Sequence, residues 1–192
     1  MKRYIIFALT LLLTTGLSAQ GDRGDWRPVG NRKIRVVHWG IIHNHSKGKW
    51  EAVRSLSDDY ELLGWVDDTD SKAMRMKEPK KSIYEGYPRF TPEQVFNEIK
   101  PDLIVIETSN EELVGVATQI AKHGIAMHMD KPLGTNKRGF ARISKICSER
   151  NIPIQIGYMF RTNDALIKMV EIAKSGIIGE VYSVEADMDH SY

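Results

Sequence analysis

The chain has 192 residues with 27 basic and 25 acidic side chains, a formal net charge of +2. This near balance leaves no electrostatic footprint for nucleic acid. Its one cysteine, Cys147, excludes an internal disulfide, so stability has to come from a packed core, for which the length suffices in one domain but hardly in two.

Met1-Lys2-Arg3, the apolar run from Tyr4 to Leu13 and the small residues Gly16 to Ala19 read as a secretory signal peptide over 1–19, cleaved after Ser18 or Ala19. The apolar run is short for a membrane span, with an uncleaved anchor as the alternative. No cysteine follows the small residues, which argues against a lipid anchor. Loss of 1–19 removes Lys2 and Arg3 and no acid, leaving 25 basic against 25 acidic residues. Residues 20–32, with Gly21, Gly24, Pro28 and Gly30, read as a flexible linker. The expectation is an exported chain, periplasmic or secreted, with no stable membrane span after processing.

From residue 33 onward, strands and helices alternate. Lys33 to Trp39 is rich in β-branched residues and ends at Gly40, and a helical pattern follows through Trp50, Val53 and Leu56. Glu61 to Val66 is a second strand, closed by Asp67-Asp68, and Ser71 to Lys77 has the composition of a short helix. Thr91-Pro92-Glu93-Gln94 combines a capping threonine, proline at the first helical position and glutamine at the third, with Val95, Phe96 and Ile99 as the buried face. Asp102 to Glu107 is a continuous aliphatic run, the signature of a strand covered on both faces.

Asn110 is placed to cap the next helix, in which Leu113, Val116, Ala117, Ile120 and Ala121 share a face and Gly124 is the stop. The unit repeats with a strand over 125–129, a cap at Thr135-Asn136 and a helix from Lys137 to Arg150 carrying Phe140, Ile143 and Cys147. Ile154-Gln155-Ile156-Gly157 closes the series as a further strand. Alternation with short connections predicts a doubly wound parallel α/β sheet, a Rossmann-like fold over 33–160. Beyond it, Asn163 caps a helix bearing Leu166, Met169, Val170 and Ala173, and Gly179 to Ala186 alternates as a strand. Residues 161–192 thus read as a connecting helix and the first strand of a second, truncated α/β domain.

Sheets of this type bind ligands beyond the carboxyl ends of their strands. Those ends hold Gly40 to Ser46, Asp67-Asp68, Thr108-Ser109-Asn110, Asp130-Lys131-Pro132 and Tyr158 to Arg161, all on one rim. A dinucleotide loop calls for Gly-x-Gly-x-x-Gly after the first strand. Here Gly40 supplies the first glycine while Ile42 and His45 stand at the others. Asp67 or Asp68 is placed for the ribose hydroxyls of an adenosine. His43 and His45, with His38 nearby, lack a third metal ligand at a characteristic spacing, so no metal is expected and both histidines are read as lining the pyrophosphate side of the loop. His123, near a helix end, reads as a favourable charge on the dipole. On its own, Asp130-Lys131-Pro132 is also ordinary turn material.

In this order of motifs, with Gly157-Tyr158-Met159-Phe160-Arg161 at the end, the chain resembles the Gfo/Idh/MocA family of glucose-fructose oxidoreductases and inositol dehydrogenases. The resemblance covers residues 33 to about 187, the amino-terminal nucleotide-binding half of such proteins. It implies NAD or NADP as cofactor and oxidation or reduction of a carbinol on a sugar, cyclitol or polyol. Asp67 and Asp68 favour NAD, because a carboxylate repels a 2′-phosphate.

The family's Glu-Lys-Pro corresponds to Asp130-Lys131-Pro132. Lys131 is implied as the catalytic group that orients substrate and helps its proton leave, with a cis peptide before Pro132, while Asp130 is one methylene shorter than the family's glutamate. Thr108, Ser109 and Asn110 match a Thr-Pro-Asn turn beside the cofactor with serine for proline, and Leu113 stands where the family often has histidine. Tyr158 and Arg161 are implied as substrate contacts, and a homo-oligomer is implied for the full-length protein. Two alternatives stay open: an exported nucleotide- or sugar-binding protein without turnover, and a redox-neutral NAD-dependent glycosidase of the same family.

Overall fold

The computed structural model describes residues 30–70 and 81–187. The signal peptide, most of the linker and the helix expected over Ser71 to Lys77 lie outside them. The chain divides into two compact units between Gly157 and Tyr158.

The larger unit is a six-stranded sheet in the order β3-β2-β1-β4-β5-β6, parallel throughout. Its strands are β1 (Ile34–Trp39), β2 (Tyr60–Val66), β3 (Arg89–Phe90), β4 (Leu103–Ile106), β5 (Ala126–Met129) and β6 (Ile154–Ile156). Its helices are α1 (Ser46–Ser55), the single turn α2 (Pro92–Gln94) that runs on as a π turn over Val95–Ile99, α3 (Leu113–Lys122) and α4 (Lys137–Glu149). The doubly wound parallel sheet expected from the alternation is therefore present.

Five strands lie where the apolar runs predict them, and the sixth is β3, not located from sequence. Two residues carry no periodicity, and this edge exists because Gly64 lets it approach. A Cβ at Gly64 would collide with the Pro88 carbonyl and lie 2.6 Å from the Phe90 ring, and Trp65 N–H donates to that same carbonyl at 3.0 Å.

Apolar side chains cover both faces of the sheet. Val37, Trp39, Ile104, Ile106, Met127 and Met129 pack with Leu113, Ala117, Ile120 and Ala121 of α3 and with Ile143 and Cys147 of α4. Ile41, Trp50, Trp65 and Tyr84 form a second cluster, into which His38 fits edge-on to Trp50 with ring centroids 5.5 Å apart. Burial pushes the Cys147 thiol up, in keeping with a core residue.

The helix ends follow local chemistry. Thr91 and Gln94 form the predicted capping box: Gln94 N–H donates to Thr91 Oγ1 at 3.2 Å and Thr91 N–H to Gln94 Oε1 at 3.0 Å. Asn136 accepts from Gly139 N–H at 2.8 Å. The cap expected of Asn110 is made by Ser109, whose Oγ accepts Glu112 N–H at 3.3 Å and whose carbonyl accepts Leu113 N–H at 2.9 Å. α3 starts at Leu113, three residues past Asn110, so the serine is the side chain in reach. His123 stacks on Phe96 with centroids 4.0 Å apart and pairs through Nδ1 with the Gln119 carbonyl at 2.9 Å.

The smaller unit holds a 3-10 turn (Met159–Thr162) and α5 (Asp164–Ser175). Asn163 caps α5 by accepting Leu166 N–H at 3.1 Å, and Gly176 ends it at φ 77°. The strand expected over Gly179 to Ala186 does not form: residues 180–187 pair with nothing in the sheet. Alternation supplies a face, but a strand also needs a neighbour for its backbone hydrogen bonds.

Candidate functional site

The strand order reverses between β1 and β4, and at such a switch point the loops leaving the two strands diverge to open a crevice. The turn after β1 is anchored there. Gly40 takes φ 94°, where a Cβ would lie 2.8 Å from both Glu107 C and Thr108 N and 2.9 Å from Asp68 Oδ2, so only glycine fits. Gly40 N–H donates to the Val66 carbonyl at 3.0 Å and Ile41 N–H to Asp68 Oδ1 at 2.7 Å. Asp68 thus pins the turn, while its Oδ2 is buried without a hydrogen bond. Burial pushes its carboxyl up to about 6. Ile42, at a glycine position of the dinucleotide pattern, turns inward and is buried.

Ser46 opens α1 as a hub. It donates from Oγ to the Gly40 carbonyl at 3.1 Å and lies 2.7 Å from both His38 Nε2 and Tyr84 Oη. Because its single proton goes to the carbonyl, His38 Nε2–H and the Tyr84 hydroxyl are the donors to it. That leaves His38 neutral, and burial pushes its pKa down to about 3. His38 is therefore a structural member of the rim and faces away from any ligand.

His43 and His45 are both paired within the fold. The loop carries them over the end of β4, where His43 N–H donates to the Glu107 carbonyl at 3.3 Å, and on to the end of β5. There the Nδ1 atoms of His43 and His45 lie 2.9 and 2.7 Å from the same atom, Oδ2 of Asp130. His43 Nδ1 is also 3.4 Å from Glu107 Oε2. Pairing with Asp130 and then with Glu107 pushes His43 up to about 9, so it carries a positive charge at neutral pH. Burial acts to raise Asp130, but the hydrogen bonds from His43 and His45 outweigh it and hold the carboxyl well below the usual carboxylate range. Glu107 is fully buried, neither oxygen has a hydrogen bond, and burial pushes its pKa up.

Asp130 therefore turns toward the histidine loop, which is where the shorter side chain reaches. Beside it, His128 accepts the Lys49 ammonium on Nε2 at 2.9 Å and pairs through Nδ1 with Gln155 Oε1 at 3.2 Å. Burial, then Lys49, pushes it down to about 4, and the neutral tautomer is fixed. Lys131 is exposed, and its peptide to Pro132, also exposed, is cis, as the resemblance implies.

At the switch point itself, a cleft of about 400 Å³ is lined by Trp39, Asp67, Asp68, Thr108, Glu112 and Val116 among others. Asp67 is engaged within it: Lys81 and Arg89 reach its Oδ2 at 2.8 and 3.2 Å. Burial raises its carboxyl, but Lys81 and Thr69 outweigh that and hold it below its ordinary value. Thr108 and Ser109 are buried at the rim, and Ser109 Oγ donates to Glu112 Oε2 at 3.0 Å. Asn110 is half-buried beside them. Tyr158 and Arg161 belong to the smaller unit, both exposed.

The larger unit thus gathers Gly40, His43, His45, Asp67, Asp68, Thr108, Ser109, Asp130, Lys131 and Pro132 along one edge of one sheet. Sequence reading missed Glu107, Lys49 and His128. The signal for Glu107 was present, since a carboxylate ending a continuous aliphatic strand must be buried or functional. Lys49 and His128 meet only through the fold.

No protein-family model and no curated protein matches the chain. Solved structures do. The WlbA dehydrogenase from Bordetella pertussis, in complex with NADH and UDP-GlcNAcA, is similar with a TM-score of 0.65 and 21% identity over 79% of this chain and 45% of its own. Myo-inositol 2-dehydrogenase from Lactobacillus plantarum has a TM-score of 0.62 and 17% identity over 78% of this chain and 43% of its own. An oxidoreductase from Agrobacterium radiobacter, in complex with NAD+, L-tartaric acid and magnesium, has a TM-score of 0.63 and 14% identity over 78% of this chain and 42% of its own. The chain spans less than half the length of each, and the likeness shows a shared Rossmann-like fold.

Proposed function

We propose that the chain is the nucleotide-binding portion of an NAD(P)-dependent oxidoreductase of the Gfo/Idh/MocA type, acting on a hydroxyl of a sugar, cyclitol or polyol. The observation that carries this reading is the cleft that spans the strand-order reversal, with Lys131 following β5 on the same rim. The dinucleotide fits the residues present. The cleft takes the adenosine end, with Asp67 and Asp68 in its lining. The first turn of α1 carries no acid and includes Lys47 and Lys49, and the positive charge on His43 lies just ahead of it, which suits a diphosphate. Thr108, Ser109 and Asn110 border the central crevice.

When bound, the nicotinamide exchanges a hydride with the carbinol carbon. Lys131 would orient the hydroxyl and stabilise the charge that develops on its oxygen as the proton leaves. Lys81 and Arg89 offset the charge of Asp67, so discrimination against a 2′-phosphate falls to Asp68, and NAD is favoured. Tyr158 and Arg161 contribute to the substrate side in this reading. A full-length homo-oligomer and export by residues 1–19 belong to the same proposal; the N-terminal sequence of the secreted protein checks the latter.

The experiment is dinucleotide titration of wild type and Lys131→Ala, followed by turnover with sugars and cyclitols in the full-length protein. Retained cofactor affinity with turnover lost in Lys131→Ala supports the enzyme, and equal turnover in the variant refutes the assignment of Lys131. The pairing of both loop histidines with Asp130 favours one second reading, a binding protein without turnover. It predicts dinucleotide uptake with no oxidation of any polyol by wild type.

A further inference from the structure

We propose that His43, His45 and Asp130 form a binding site for one divalent transition-metal ion, with zinc the best match to the donors. The inference goes beyond the cofactor reading and does not depend on it. The absence of a third ligand at sequence spacing argued against a metal; the fold supplies that ligand from β5, across the end of β4. The two imidazole Nδ1 atoms and Asp130 Oδ2 all lie within 4.8 Å of one another, with each nitrogen already 2.9 or 2.7 Å from the oxygen. Tetrahedral coordination at about 2.0–2.1 Å sets neighbouring donor atoms about 3.3 Å apart. The two nitrogen–oxygen pairs would have to open by about 0.4–0.6 Å to admit an ion at that geometry. Two nitrogens and one carboxylate oxygen suit zinc and leave a fourth position open to an outside ligand.

Glu107 supplies the independent observation. It is fully buried, both its oxygens lack hydrogen bonds, and Oε2 lies 3.4 Å from His43 Nδ1. A buried carboxylate without hydrogen bonds is costly, so something is expected to compensate it. Lys49 acts on it only through space, its ammonium being bonded to His128 at 2.9 Å. A divalent cation held by the two imidazoles and Asp130 would bring a double positive charge beside both carboxylates.

The test is titration of the metal-free full chain with Zn2+ and with Co2+, in the absence of dinucleotide, read by bound-metal analysis and by the visible spectrum of the cobalt form. One equivalent is expected, with affinity reduced about tenfold or more in His45→Gln and in Asp130→Asn. His123→Gln, on the far end of α3, should bind as wild type, and circular dichroism of each variant separates a lost site from a lost fold. No stoichiometric ion in wild type, or unchanged affinity in folded His45→Gln and Asp130→Asn, overturns the proposal. Dinucleotide binding by the chelator-treated chain is scored separately, so either reading can fail while the other stands.

Discussion

The residues of the rim divide into those that hold the turn and those left with chemistry to do. Ser46 is of the first kind. Its removal in Ser46→Ala would leave the His38 Nε2–H and the Tyr84 hydroxyl without an acceptor, a loss of about 1–3 kcal/mol measurable as a lowered urea midpoint. His38 also makes stability depend on pH. Its folded pKa, about 3, lies below the unfolded value of 6.5, so the unfolded chain takes up the proton first. Its contribution is complete above pH 6.5 and is lost as pH falls toward 3. The groups around it, Ser46, Tyr84 and Trp50, carry no charge at these pH values, and His128 adds only a repulsive neighbour when protonated. Asp68 acts in the opposite sense: its folded pKa, about 6, is raised above 3.8, so its contribution is present below 3.8 and lost as pH rises through 6. His43, raised to about 9, also opposes His38, its contribution being lost as pH rises from 6.5 through 9, while His128, lowered to about 4, acts in the same sense as His38. Urea unfolding of wild type and of His38→Gln, which keeps an N–H for Ser46, at pH 7.5, 6.5 and 5.5 isolates this residue: the stability of wild type relative to the variant should fall with acidity. Sequence alone marked Gly40, Asp68 and Lys131 because each sits where a strand ends. It could not show that His43 and His45 share one oxygen of a residue 85 positions downstream, since that contact exists only once β5 is laid beside β4.

Among the elements, long apolar runs were legible and short ones were not. Leu103–Ile106 and α3 announce themselves by continuity and by a repeating face, whereas Arg89–Phe90 is held by what Gly64 permits. Gly64→Ala should push the Pro88 carbonyl away and weaken β3, at about 1–3 kcal/mol. Increased hydrogen exchange confined to β2 and residues 88–90 would identify the cause. At α2 the capping box predicts a cost of about 0.5–2 kcal/mol for Thr91→Ala by denaturant unfolding. The expected strand over 179–186 illustrates the converse: its alternation was readable, but pairing is a property of two strands.

At the scale of the whole chain, cofactor binding should show itself as a footprint. NAD present at about 100 times its dissociation constant would stabilise the chain by about 2.7 kcal/mol. Exchange protection should concentrate on residues 40–46, 67–68, 108–112 and 130–132, and protection spread evenly over both ends of the sheet would contradict the proposed site. The sheet also thins toward its margins, from six residues in β1 to two in β3 on one side and three in β6 on the other. So little free ladder gives a second molecule almost nothing to extend by backbone pairing. Self-association, where it occurs, would then rest on side chains meeting side chains, and a fibre built by strand addition has no template in this sheet.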